Sequence, residues 1–146
     1  MSVVALRSAV QELIRRFGLL AESSTPCGHP LATSHAHALM LLLDAGPAGA
    51  HQAELGRQLG IDKSNASRLV RQLAAQGRVT VRSAPDEDAR IKRVRLTAKG
   101  ARLAADVEQS SRRRFAAVYD AIPPRQRRAV LDGLTQLTRA LERNEP

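Results

Sequence analysis

Aromatic residues are almost missing from this 146-residue chain: Phe17, Phe115 and Tyr119 are the only three, and tryptophan is absent. A platform for single-stranded bases needs flat side chains on which the bases stack, so that class of binder is not expected. The core has to come from Leu, Val, Ile and Ala, a palette that favours helices. Cysteine occurs once, at Cys27. No disulfide can close within the chain, which points to a reducing compartment, the cytoplasm. Long apolar runs are missing too. The longest, "ALMLLL" at 38–43, is far too short to span a membrane. The start, "MSVVALRSAVQELIRR", lacks the basic segment and long apolar block of a secretory signal.

Acidic side chains are in deficit, 14 against 23 Lys and Arg, for a net charge of +9. The excess is uneven. Residues 1–50 are neutral, 51–100 carry +6 and 101–146 carry +3. A middle so basic suggests a surface that faces a polyanion. A generally arginine-rich composition would give the same total, so charge alone does not decide.

Apolar residues at Val3, Leu6, Val10, Leu13, Ile14, Phe17 and Leu20 have the spacing of an amphipathic helix over 3–21. The stretch "ESSTPCGHP" breaks it. A second helix is expected over 31–46, capped by Thr33 or Ser34 and buried around Leu39–Leu43. A short helix, "HQAELGRQLG", should start at a His51 cap with Glu54 placed for a capping box. After "GID", Asp62 caps the helix "KSNASRLVRQLAAQG", whose inner face is Ala66, Leu69, Val70 and Leu73 and whose end is Gly77. Two short strands, 78–83 and 90–97, then flank the loop "APDEDA". Thr97 should cap a long helix over 98–120. "IPP" makes a corner, and a last helix is expected over 124–143.

Two helices joined by a tight turn form a helix-turn-helix, and a basic hairpin directly after it is a wing. In such a unit the second helix enters the major groove with its first residues leading. Those residues are Lys63, Ser64, Asn65, Ser67 and Arg68, followed one turn later by Arg71. Arg can pair with guanine and Asn with adenine. The segment "RSAPDEDARIKRVRLTAKG", 82–100, supplies Arg90 and Lys92 from the wing. Narrow minor grooves attract arginine, and a carboxylate two residues away, Asp88, can orient its guanidinium. Asp86 after Pro85 suits turn initiation, and Glu87 is expected to be merely solvated.

Residues 52–100, with "DAR" at 88–90 and "LTAKG" at 96–100, resemble the MarR family of bacterial transcription regulators and its D-x-R…L-T-x-x-G signature. Two departures are Gly56, where the family usually has Ala, and His51, where it usually has Thr or Ser. The resemblance implies a mainly α fold with a small β-hairpin wing. It implies one domain, 1–146, with a winged helix-turn-helix over 34–100 and dimerisation helices over 1–32 and 101–146. It gives Asp88 and Arg90 the wing roles read above. It also implies a homodimer, intertwined through its termini, that reads a pseudo-palindromic operator in double-stranded DNA. The apolar faces of the terminal helices call for such a partner independently. On that reading Phe17, Phe115, Tyr119, Leu134, Leu137 and Leu141 are core or interface.

Cys27, His29, His35 and His37 crowd one region. These are residue types that hold Zn or Cu, and zinc-responsive MarR relatives place ligands near the same junction. No complete four-ligand set is visible by spacing, and the fifth helix lacks the histidines such relatives use. Oxidation of Cys27, a pocket for an organic effector, and a polar loop without a role stay open. The expectation is therefore a non-enzymatic, sequence-specific DNA-binding regulator. A repressor modulated by a small ligand, metal ion or thiol oxidation fits best. The alternative is a non-sensing architectural or RNA-binding winged helix. A Cys27–histidine nucleophile lacks the orienting acid and oxyanion donors an enzyme needs.

Overall fold

The computed structural model describes residues 2–20, 28, 31–83 and 87–144. The chain divides into two compact units, Met1–Ser110 and Ser111–Pro146. The first contains α1 (Val3–Phe17), α2 (Thr33–Ala45), β1 (Ala50–His51), α3 (Gln52–Leu59), α4 (Lys63–Ala75), β2 (Val79–Arg82), β3 (Arg93–Leu96) and the first part of α5 (Ala98–Ala121). The second contains the rest of α5, a 3-10 turn at Pro124–Gln126 and α6 (Arg127–Glu142). The expected class, helices with a small β wing, is the one observed.

Helix α1 starts where the Ser2 side chain accepts from the Ala5 N–H and ends at Gly18, which is left-handed at φ 87°. That conformation suits glycine, so the helix stops short of residue 21. Helix α2 departs from the sequence reading at its start. Its N-cap is Ala32, which has no side chain to offer, and neither Thr33 nor Ser34 caps it. Thr33 Oγ1 is instead buried, with no hydrogen-bond partner among the described residues.

The α3–α4 turn follows from Gly60 at φ 66°, whose N–H bonds to the Arg57 carbonyl while the Ile61 N–H reaches the Gly56 carbonyl at 3.1 Å. Asp62 then accepts from the Asn65 N–H at 2.7 Å and caps α4 as expected. Gly56 is buried at this crossing, where an added Cβ would sit 2.9 Å from the Ala66 Cβ. His51 does occupy the N-cap of α3, but its side chain makes no capping bond. Glu54 completes no capping box either. Its carboxylate instead accepts from Arg57, three residues on, at 2.6 Å.

The sheet has a strand that sequence reading misses. Ala50–His51 pairs antiparallel with β3, giving the order β1-β3-β2. Two residues are too few to show alternation. In β2–β3 the register sets Val81 opposite Val94 and Arg82 opposite Arg93. Leu39, Leu42, Leu55, Val70, Leu73, Val94 and Val107 are the largest fully buried side chains of the core.

The α4 end and the α5 start are stitched together. Thr97 Oγ1 accepts from the Gly100 N–H at 3.0 Å, capping α5, and donates to the Gly77 carbonyl at 2.6 Å. The Thr97 N–H donates to the Arg78 carbonyl at 3.1 Å. Gly100 lies against that same carbonyl, and a Cβ there would overlap it.

In the second unit, Pro123 and Pro124 turn the chain into the 3-10 segment, so α6 proper begins at Arg127 rather than 124. Arg127 Nε donates to the Ile122 carbonyl at 3.1 Å, and its guanidinium lies 4.1 Å from the centre of the Tyr119 ring. No described residue of α6 is buried, and Leu131 and Leu141 are 57% and 62% exposed. Among the described residues, no helix is long and apolar enough to cross a membrane.

Replacing Gly100 by Ala should destabilise the fold by about 1–3 kcal/mol, the usual cost of forcing an atom into packed backbone. Urea unfolding would measure it. A neutral Gly100→Ala would show that α5 can slide away from Arg78 at no cost.

Candidate nucleic-acid interface

The first turn of α4 carries a chain of side-chain bonds. Asp62 accepts from the Asn65 amide Nδ2 at 2.9 Å, and Asn65 Oδ1 accepts from an Arg68 guanidinium nitrogen. Asn65 therefore engages both ends of its amide inside the protein. Arg68 is drawn along the helix rather than left to sweep solvent. Lys63, Ser64, Arg68 and Arg71 are exposed, while Asn65 and Ser67 are half-buried. The turn thus presents cations and a hydroxyl at its outer edge, on a helix end whose buried face is fixed by Ala66 and Leu69.

At the wing, Asp88 Oδ1 accepts from the Arg90 backbone N–H at 2.9 Å, and the Asp88 carbonyl accepts from the Ile91 N–H at 2.8 Å. The same carboxylate oxygen is 3.6 Å from Arg90 Nε. Asp88 therefore shapes the turn first and pulls on the guanidinium second. The Arg90 side chain is 93% exposed. Lys92 is exposed beside it. The Ser83 hydroxyl donates to the Ala89 carbonyl at 2.9 Å and closes the base of the loop. Pro85 and Asp86 lie outside the described residues.

Glu87 is not the solvated residue that sequence reading expects. Its side chain is 18% exposed, and Oε1 accepts from Arg93 at 2.8 Å. The same oxygen lies 2.8 Å from His51 Nε2. The Arg93 guanidinium foremost, and then His51, hold the Glu87 carboxyl below the usual carboxylate range. These partners are 6 and 36 residues away in sequence, so nothing in the acidic run "DED" marks Glu87 as the buried one. Arg93 and Arg95 also donate to the Ala48 carbonyl, each at 3.2 Å. Part of the basic excess thus holds the wing together instead of facing outward.

His35 Nε2 lies 3.0 Å from Gln72 Oε1, linking α2 to α4, whereas His37 is exposed. Cys27 and His29 lie outside the described residues. Among the described residues no three His, Cys, Asp or Glu side chains are placed to hold a metal ion.

Helix, glycine turn, capped helix and three-stranded wing in this order define a winged helix-turn-helix protein. Residues 29–91 match the model of the MarR family. No curated protein sequence matches the chain. Solved structures do match. A MarR transcriptional regulator from Methanosarcina mazei is 25% identical, with a TM-score of 0.71 over 92% of this chain and 94% of the other. A probable transcriptional regulator from Pseudomonas aeruginosa is 24% identical, with a TM-score of 0.70 over 92% and 94%. BpsR of Bordetella bronchiseptica, whose DNA binding is regulated by 6-hydroxynicotinic acid, is 21% identical, with a TM-score of 0.68 over 92% and 96%. The likeness to MarR-family winged-helix transcription regulators thus covers 29–91 by the family model and 92% of the chain by fold.

Because the Glu87 carboxyl is held below its ordinary value of 4.5, its contribution to stability is present above that pH. It is lost as the pH falls through the lowered folded value. The urea midpoints of the parent and of Glu87→Gln should differ near pH ~7 and converge towards pH ~3. A gap that stays constant over that range would show that the carboxylate charge does not matter.

Proposed function

We propose that the protein is a homodimeric repressor that binds a pseudo-palindromic operator in double-stranded DNA and is modulated by a small ligand. The observation that carries this reading is one surface: the exposed cations of the α4 start lie on the same scaffold as a wing whose tip arginine is 93% exposed. Lys63, Ser64, Asn65, Ser67, Arg68 and Arg71 serve the major groove. Asp88, Arg90 and Lys92 serve the adjacent minor groove. Asn65 is a weaker base reader than its residue type suggests, since a contact with adenine costs it bonds to Asp62 and Arg68.

The domain plan stays as read from the sequence: a winged helix-turn-helix over 34–100, with 1–32 and 101–146 for dimerisation. Exposed Val3, Val4 and Leu6 on α1, and Leu131, Leu134 and Leu141 on α6, support it. Apolar faces of that extent usually mark an interface. The regulation of BpsR by 6-hydroxynicotinic acid makes a small organic acid the first effector to try. Zn, Cu and peroxide come next, for Cys27, His29, His35 and His37. A non-sensing architectural protein would bind random and selected duplexes alike.

Site selection from a random duplex pool tests this directly. Arg68→Ala should weaken the selected site by about 1–3 kcal/mol if it reads a base. Arg90→Ala should weaken binding without unfolding, and Asp88→Ala should do so less. Wild-type binding by both Arg variants would remove this surface from the interface.

Leu134→Asp should shift the dimer towards monomer in sedimentation. An unchanged dimer would place the interface elsewhere.

A further inference from the structure

We propose that His51, Glu87 and Arg93 form a proton-operated latch that positions the wing, so that DNA is gripped more tightly when His51 carries a proton. The proposal rests on the DNA-binding reading above and adds its regulation by pH. Its geometric basis is a conflict at one atom. His51 Nε2 is 2.8 Å from Glu87 Oε1 and 2.9 Å from an Arg93 guanidinium nitrogen. A guanidinium can only donate, and a carboxylate can only accept. The ring nitrogen cannot satisfy both. A bare Nε2 accepts from Arg93 and turns its lone pair on Glu87, whereas an Nε2–H donates to Glu87 and faces Arg93. The neutral ring can take either tautomer, but the protonated ring always carries the Nε2–H.

The two states hold different segments. Glu87 belongs to the wing loop, Arg93 to β3, and His51 to the junction of β1 with α3. Protonation removes the tautomer that breaks the contact and leaves the loop and α3 joined by a hydrogen bond between two opposite charges. Arg93 tolerates it, because the same guanidinium also donates to Glu87 at 2.8 Å and to the Ala48 carbonyl at 3.2 Å. Imidazole is the one side chain whose ordinary titration falls between about pH 5 and 8. Glu87 stays anionic throughout that range, since Arg93 holds its carboxyl low. Of the other charged groups nearby, Arg82 on β2 lies across the ladder from Arg93 and is exposed, and the rest are already committed or lie beyond. On α3, Glu54 is paired with Arg57. On β3, Arg95 donates to Ala48. Asp88 pairs with Arg90 next along the loop, and Lys92 is exposed.

The latch also has a reporter. The Gln52 N–H, next to His51, donates to the Lys92 carbonyl at 2.8 Å and ties the start of α3 to the strand that returns from the wing tip. When the latch is closed, that amide should open less often.

The experiment compares the full-length parent, His51→Gln and Glu87→Gln at constant ionic strength between about pH 8 and 6. Two quantities are read: anisotropy binding to the selected duplex, and hydrogen exchange of the Gln52 amide in the DNA-free protein. Comparison at matched pH cancels the intrinsic exchange rate and any contribution from the other histidines. The parent should gain roughly three- to tenfold in affinity as the pH falls, the size of one strengthened hydrogen bond. Its Gln52 protection relative to His51→Gln should rise in step, and the two variants should share one shallower slope. His51 is 41% exposed, so its replacement should fold. If Glu87→Gln does not, Glu87→Asp keeps the charge and withdraws it from the ring. A parent slope that is undiminished in His51→Gln would overturn the latch. So would a slope lost in His51→Gln but kept in either Glu87 variant, since added charge alone would then explain it. If no duplex is selected at all, the DNA reading fails, and exchange at Gln52 still decides the latch.

Discussion

Arg93 donates to acceptors from separate stretches of chain: the Ala48 carbonyl after α2, and the Glu87 carboxylate in the wing loop. It also touches the His51 ring at the start of α3. A guanidinium is a planar fork of five donors on a side chain that is always charged. It can therefore bind several neighbours at fixed angles, which an ammonium cannot. The register adds a second demand, because Arg82 sits directly across from Arg93. Like charges opposite each other weaken a strand pair, and Glu87 offsets that repulsion from the loop between the two strands. The wing is thus held both by charge arranged around its middle strand and by the burial of Val79 and Val94 in the core.

The far side of the same strand is fixed by other means. Thr97 bonds both backward to Gly77 and forward to Gly100. Gly100 in turn lets α5 approach the Arg78 carbonyl more closely than any side chain would allow. Lys99 adds a bond from its ammonium to the Gln76 carbonyl at 3.0 Å. The end of α4, the wing and the start of α5 are therefore one rigid joint. A displacement of α5 in the first unit has to move the wing or break these bonds. On the proposed function, that mechanical link would pass an effector's action on the helices to the wing.

Much of this was legible in the sequence where the signal is local. The Asp62 cap, the inner face of α4 and the Thr97 cap each depend on neighbours within four residues. The sequence shows those neighbours directly. What stayed hidden depends on distant partners. Glu87 looks like Asp86 and Asp88 until β3 brings Arg93 beside it. His51 stood out as an odd cap, but its use is set by a loop 36 residues on. Strand β1 is too short for any periodicity. The hydroxyls of Thr33 and Ser34 advertised a cap, yet the helix starts after Ala32 and buries Thr33 Oγ1 instead. In α4, residue types pointed to Asn65 as a base reader, and only the fold shows its amide already bonded at both ends.

The two units differ in what can hold them. The first has a core in which Leu39, Leu73, Val94 and Ala104 are fully buried. The second buries none of the described residues of α6, and an isolated helix of 16 residues is marginal in water. Ionic and cation–π contacts such as Arg128 with Asp132 and Arg127 with Tyr119 add little at an exposed surface. On the proposed homodimer, the stability of this unit comes from the partner's surface, so it falls with dilution. Wing chemistry and assembly then enter any DNA-binding measurement together. Protonation at His51 acts within one chain and should not depend on protein concentration. Loss of the terminal interface should depend on it strongly. Titration at two protein concentrations therefore separates a local change in the wing from a shift in assembly, even when both weaken binding to the same extent.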